Sequence, residues 1–171
     1  DMLVQRYRLN EVHSYIWCDG IKYKKLGIDI EKNVTILNIP TPENGTLRNS
    51  MIPSLLTFAY ENRQFAPSFC IFEAGRVVDG VKEDGTCNEK RHLGIVLFDK
   101  VLSEKDLYFK AVEIVKYIAD ELRHTGVSFT RIEPKHNWQH PRNTSKISIG
   151  KDVIGEIATL HPANLSKIDK H

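Results

Sequence analysis

The chain has 171 residues, of which 41% are hydrophobic and 27% charged, and its formal net charge is +2. This balance is typical of a soluble globular domain and excludes a disordered chain. It also argues against tight nucleic-acid binding by the domain alone, because dedicated binders concentrate far more positive charge on one face. No apolar run approaches the ~20 residues that a membrane-crossing helix needs, so we expect no membrane partner.

The first third of the chain combines β-rich segments with a short helix. Residues 11–18 and 34–39 are rich in β-branched and aromatic residues and predict two strands, the second stopped by Pro40 and Pro42. Between them, residues 21–26 predict a helix ending at Gly27.

The next segment predicts a loop, a helix and a hairpin. Residues 43–46 have loop chemistry, and a helix follows from about residues 50–52 to Arg63, with Pro53 in its first turn. Strands are predicted over residues 69–78 and 91–98, with an exposed hairpin loop at 79–90.

The last third predicts one long helix and a three-stranded meander. Ser103 and Asp106 form a weak capping box for a helix that runs to about His124 and ends before Gly126. An apolar stripe at helical spacing predicts its core face: Leu107, Ala111, Ile114, Val115, Ile118 and Leu122. Strands are predicted over 127–132, 146–149 and 153–160, the last two joined by a turn at 150–152.

Strands outnumber helices and mostly connect through hairpin-sized loops. The sequence therefore predicts an α+β domain, an antiparallel β-sheet flanked by helices. No repeat or long linker divides it, so we expect a single domain over residues 1–171, cut from a longer protein.

Three charged residues stand out as candidates for a substrate-facing or interface role. Glu73 and Arg76 flank Gly75 at a strand, where glycine lets the backbone bend; an ion pair or a stacked arginine is the structural alternative. Arg48 lies at a helix entrance, where a cation opposes the helix dipole unless a carboxylate accompanies it. A solvated loop arginine is the alternative there.

The histidines and cysteines give weaker signals. His161 could mark a pocket rim or a simple strand-ending turn, and His136 and His140 have zinc-like spacing but are bracketed by prolines, so we expect no metal site. Nothing singles out a catalytic nucleophile and base. Cys18, Cys70 and Cys87 include no CxxC pair and indicate reduced thiols in a cytoplasmic protein.

Six segments, in order, resemble the synthetase-like core of the phenylalanyl-tRNA synthetase beta subunit. The most specific are LRNSMIPSLL at 47–56, against the family pattern LRxSxxPxLL, and FEAGRV at 72–77, against FEIGRV. Weaker matches are NEVHSY at 10–15, DLYFK at 106–110, HPRNT at 140–144 and IGEIATLHP at 154–162. Asn49, Ala74 and Asn143 depart from the family pattern.

The resemblance implies a class II aminoacyl-tRNA synthetase-like core that does not itself make aminoacyl-adenylate. It implies pairing with a catalytic alpha subunit that holds ATP and Mg²⁺, contact with tRNA through the holoenzyme, and no cofactor bound by this domain. Class II enzymes grip the nucleotide with arginines, whereas this chain has Asp79 after its Gly-Arg bend and no G-x-G-x-x-R after His161. We therefore expect no arginine facing an open, phosphate-sized cleft.

The sequence is also compatible with two other functions. A stand-alone paralogue could act as a small-ligand-sensing or interaction module, which an amino-acid thermal-shift screen would detect. An autonomous enzyme that activates a small carboxylic acid with ATP is the third possibility, and it would need Arg76.

Overall fold

The computed structural model of the chain describes residues 2–30, 33–39, 41 and 45–169. The chain divides into two compact units, Asp1–Phe98 and Asp99–His171, which are described separately. The single-domain organisation expected from the sequence stays a prediction. Pro40, Pro42 and the first half of the predicted 43–46 loop, residues 43 and 44, lie outside the described residues.

The described residues of the first unit form three helices and a three-stranded sheet. Its elements are α1 (Met2–Tyr7), β1 (Asn10–Glu11), α2 (Gly20–Leu26), α3 (Ile52–Asn62), β2 (Ser68–Val81) and β3 (Cys87–Asp99, whose last residue falls in the second unit). The strand order is β1-β2-β3. β2 and β3 form a hairpin whose turn is closed by a hydrogen bond from Lys82 N to Thr86 O (2.8 Å). The predicted exposed loop at 79–90 is therefore mostly strand.

β1 corrects the expectation of a purely antiparallel sheet. It pairs with β2 in parallel, with Asn10 opposite Ile71 and Glu11 opposite Phe72. Of the strand predicted over 11–18, only Glu11 belongs to a sheet strand. The rest of that segment, and the predicted strand at 34–39, form only isolated bridges, Trp17 with Leu47 and Thr35 with Thr46. Their β-branched residues favour an extended backbone, but without a long partner strand no ladder forms.

Helix α3 supplies the core of the first unit. Pro53 lies at its start, as predicted, where its missing N–H costs nothing. Met51 and Leu55 are almost fully buried. A Cβ on Gly94 of β3 would lie 2.6 Å from Met51 Cβ and 2.8 Å from Leu55 Cδ1, so this glycine lets the helix pack closely.

Up to residue 169, the second unit is an antiparallel meander with two helices. Its elements are α4 (Glu104–Glu121), β4 (Val127–Arg131), β5 (Gln139–Ile149), β6 (Asp152–Leu160) and α5 (Pro162–Asp169). The order β4-β5-β6 confirms the three predicted strands, although β5 begins seven residues before the predicted residue 146. No helix in the described ranges is long and apolar enough to span a membrane.

Helix α4 begins where the sequence predicts but ends earlier. Ser103 caps the start as predicted, accepting a hydrogen bond from Asp106 N (3.2 Å). The helix stops at Glu121, three residues before the predicted end, because Arg123 rather than Gly126 makes the first left-handed turn (φ 59°). Of the predicted apolar stripe only Ile114 is fully buried, and Leu122 is 58% exposed.

Candidate functional site

Arg48 lies at the centre of a buried polar network in the first unit. Its Nη2 donates to Glu73 Oε1 at 3.0 Å, its Nη1 to Ser14 Oγ at 2.7 Å and its Nε to the Arg76 carbonyl at 2.9 Å. Ser14 Oγ in turn donates to Glu73 Oε2 at 2.6 Å. All three guanidinium nitrogens therefore have protein acceptors, and both carboxylate oxygens have donors.

Backbone bonds on both sides hold Arg48 in place. Arg48 N donates to Ile16 O (2.9 Å), and Val78 N donates to Arg48 O (2.8 Å). Glu73 lies on β2, and the parallel pairing of β1 with β2 fixes the chain just before Ser14. Ser14 thus contacts Glu73, 59 positions later in the sequence, and Arg48, 34 positions later.

Gly75 makes room for this network. A Cβ at this position would lie 2.7 Å from Arg48 Nη2, 3.0 Å from Met51 Cε and 3.2 Å from Glu73 Oε1. The sequence had suggested that Gly75 allows a backbone bend, and the structure gives a different reason for glycine, which is the close approach of a guanidinium.

The network is buried and its charge is balanced internally. The side chains of Arg48 and Glu73 are each 4% exposed. Burial raises the pKa of the nearby Cys18 thiol and of the Tyr23 phenol, so both stay neutral at physiological pH. Glu73 thus supplies the countercharge that a buried arginine needs, and each of the three guanidinium nitrogens of Arg48 already donates to a protein oxygen.

Arg76 contributes only its backbone to the network. Its side chain is 63% exposed and forms an ion pair with Glu89 across the hairpin at 3.1 Å. Glu73 and Arg76 are therefore not partners of each other. Each forms an ion pair with another residue, Glu73 with Arg48 and Arg76 with Glu89. The proposed substrate-facing or interface role of Arg48, Glu73 and Arg76 stays a prediction.

His161 belongs to the second unit and lies at the start of α5. Its Nδ1 accepts a hydrogen bond from Ala163 N (3.1 Å), and its backbone N donates to Trp138 O (2.7 Å). These bonds are those of a strand-ending turn and a helix cap; a pocket-rim role stays a prediction.

His140 has a structural role in a bulge of β5. The register between β5 and β6 shifts between Gln139 and Thr144, so residues 140–143 leave the ladder. His140 Nδ1 accepts hydrogen bonds from Arg142 N (3.0 Å) and Asn143 N (3.2 Å) and so fixes the bulge. Within the described ranges no group of three or more histidine, cysteine or acidic residues could hold a metal.

An open cleft of about 470 Å³ lies in the second unit, between the first turns of α4 and strands β4 and β5. It is lined by charged, polar and aromatic side chains: Glu104, Lys105, Tyr108, Phe109, Arg131, Arg142, Asn143 and Ser145. In the described part of the chain, the side chains of Arg131 and Arg142 have no hydrogen bond or ion pair. The expectation that no arginine faces an open, phosphate-sized cleft is therefore wrong for Arg131 and Arg142. Neither was a predicted site residue, and neither was Ser14 of the Arg48 network.

The only sequence signal for these residues was indirect. HPRNT at 140–144 was noticed as a motif, but its arginine had no assigned role. Arg131 ends an ordinary alternating strand, and only the register that places it opposite Ser145 brings it to the cleft.

The fold is that of the class II aminoacyl-tRNA synthetases. Two solved structures of pyrrolysyl-tRNA synthetase from Desulfitobacterium hafniense superpose on 97% of this chain with TM-scores of 0.70 and 0.69, and the chain covers 56% and 58% of them. Sequence identities of 12% and 14% limit this likeness to the fold.

The sequence defines the family more narrowly. Residues 2–170 match the family described as the phenylalanyl tRNA synthetase beta chain CLM domain, and the chain belongs to this family. It is 30% identical over 166 residues to the phenylalanine–tRNA ligase beta subunit of Leptospira borgpetersenii, covering 94% of this chain. It is 31% identical over 134 residues to that of Thermococcus kodakarensis, covering 77% of this chain. The chain spans about a fifth of the length of these relatives, 20% and 22%.

Proposed function

We propose that the chain is the non-catalytic core domain of a phenylalanine–tRNA ligase beta subunit. It supports phenylalanyl-tRNA aminoacylation by pairing with the catalytic alpha subunit, where ATP and Mg²⁺ bind. tRNA contacts it through the holoenzyme, and the domain itself binds no cofactor. The assembly works in the cytoplasm.

The observation that carries this proposal is the state of Arg48. A synthetase activates its amino acid by holding the nucleotide with free guanidinium groups, whose planar fork matches phosphate oxygens. Arg48 lies in the family's most specific motif, yet all of its nitrogens are bonded to protein and its side chain is 4% exposed. Asp79, also on β2, forms an ion pair with Lys90 across the hairpin at 2.5 Å, so it supplies no positive charge for a triphosphate.

Phenylalanine-dependent exchange of pyrophosphate into ATP tests this proposal. We expect the 171-residue chain to give no exchange above the blank, and to co-purify with the alpha subunit of a phenylalanine–tRNA ligase when both are expressed together. Exchange catalysed by the chain alone, and lost in an Arg76→Ala variant, would instead support the autonomous enzyme.

The second candidate is a stand-alone paralogue that acts as a small-ligand-sensing or interaction module. One observation favours it, the cleft with two arginines that make no bond to described protein groups. Failure to bind any alpha subunit, together with a thermal shift on addition of a small ligand, would favour this candidate over the first.

A further inference from the structure

We infer that the cleft between α4 and strands β4 and β5 binds a phosphate monoester joined to a planar ring. The inference goes beyond the proposed function, because binding there involves no adenylate chemistry and no alpha subunit. It holds for either candidate function and is tested on the chain by itself.

The cleft has the charge that a phosphate dianion requires. Lys105, Arg131 and Arg142 line it against one carboxylate, Glu104. One guanidinium can donate two parallel N–H bonds to phosphate oxygens, which makes arginine the preferred residue for this recognition. A buried arginine such as Arg48 is charge-balanced by its own carboxylate, whereas these two have none within the described residues.

The local fold directs both arginines to the same space. Arg131 and Ser145 are cross-strand partners on β4 and β5, so their side chains share one face of the sheet. Tyr108 OH donates to Ser145 Oγ at 2.9 Å, which shows that this face is the one covered by α4. Arg142 comes from the bulge fixed by His140, and bulges commonly redirect side chains at binding sites.

The cleft also offers an aromatic surface next to the cations. Phe109 is 57% exposed, and Tyr108 packs edge-on against it with ring centroids 6.1 Å apart. Exposed rings beside arginines are suited to stacking a planar group. A volume of about 470 Å³ accommodates a small ligand that has both a phosphate and a ring.

Calorimetric titration with phenyl phosphate, inorganic phosphate and phenol tests the inference. Phenyl phosphate carries both features, and each of the other two carries one. We expect phenyl phosphate to bind at least about tenfold more tightly than either, since a charge-assisted bond and a ring contact each contribute about a factor of ten.

Matched variants locate the binding. Arg131→Gln and Arg142→Gln should each weaken phenyl phosphate binding by about tenfold, and Phe109→Leu should reduce it toward the affinity for inorganic phosphate. Arg91→Gln removes an equal charge from an exposed position outside the cleft and should leave it unchanged. Thermal unfolding midpoints equal to that of the parent chain establish that the variants fold. Lys105→Gln removes a cleft cation from a different element, α4, and replaces any arginine variant that does not fold.

Two further ligands distinguish the natural sources of this chemistry. AMP represents a nucleotide and O-phosphotyrosine represents a modified protein side chain, and the tighter binder of the two identifies the source. The inference is overturned if none of the phosphate esters binds, or if their binding is the same in Arg131→Gln, Arg142→Gln and the parent chain. Neither result would bear on pairing with an alpha subunit.

Discussion

The arginines of the two units are used in opposite ways. Arg48 in the first unit is buried, and each of its nitrogens is bonded to a protein oxygen. Arg131 and Arg142 in the second unit are exposed and line an open cleft. A motif with a specific family signal thus contains an arginine that is already engaged by the protein. Of the ligand-accessible arginines, Arg142 lies in a weakly matching segment and Arg131 lies in none of the matched segments. What an arginine can do depends on whether its guanidinium nitrogens already donate to neighbouring protein oxygens.

Loss of the carboxylate in the buried network should have the largest effect on stability. Glu73→Ala leaves Arg48 charged and without a countercharge, and we expect the free energy of unfolding to fall by about 3–5 kcal/mol. Urea denaturation measures it. A loss below about 1 kcal/mol would mean that water reaches Arg48 and that the two units do not differ as described.

Gly75→Ala should be the next most disruptive change. The new Cβ would lie 2.7 Å from Arg48 Nη2, and the guanidinium cannot move away without losing its bonds. We expect a loss of about 1–3 kcal/mol in the free energy of unfolding, as for other overpacked sites. Gly155→Ala is the matched control, because its Cβ would meet only Ile147 Cδ1 at an ordinary 3.6 Å. Equal losses in the two variants would show that Gly75 is required for backbone reasons instead.

In the second unit, Glu156 should make stability depend on pH in the acidic range. Burial acts to raise the pKa of Glu156, but hydrogen bonds from Lys135 and Gln139 outweigh it and hold the pKa below its ordinary value of 4.5. A carboxyl whose folded-state pKa is lowered stabilises the fold above its unfolded pKa, and this contribution disappears as pH falls through the folded value. We expect the stability of the parent chain to fall below about pH 4.5 more steeply than that of Glu156→Gln. Parallel pH profiles from chemical denaturation would contradict the assignment.

The exposed pair in the first unit should have the smallest effect. Arg76 and Glu89 are 63% and 45% exposed, so Arg76→Ala should change the free energy of unfolding by less than about 1 kcal/mol. This small effect should shrink further at high salt. A loss as large as that of Glu73→Ala would show that Arg76 contributes more than its backbone carbonyl to the network.

Local sequence signals predicted most of the regular elements. Caps and special backbone positions located α2, α3 and the start of α4, since Gly27, Pro53 and Ser103 act through their immediate neighbours. The predicted strand over 11–18 was wrong because strand formation there depends on a partner about sixty positions away, with Glu11 opposite Phe72, and not on local composition. The predicted end of α4 was wrong because Arg123 adopts the left-handed backbone conformation that glycine usually takes.

The candidate site was predictable only in part. Arg48 was noticed because a cation at a helix entrance requires a partner, and Glu73 proved to be that partner. Ser14 gave no signal, since a single hydroxyl in an irregular segment is uninformative until the fold brings it to 2.7 Å from Arg48. The cleft arginines depend on strand register and on a bulge, which one sequence alone does not specify.

A double-mutant cycle between Arg48 and Glu73 is the most direct test of the claim that this arginine is fully engaged by the protein. Stabilities of the parent chain, Arg48→Met, Glu73→Leu and the double variant give the coupling free energy. We predict at least about 2 kcal/mol, with the double variant more stable than either single variant, as expected for a desolvated pair. A coupling below about 0.5 kcal/mol, the value of an exposed pair, would contradict it and leave Arg48 available to a ligand.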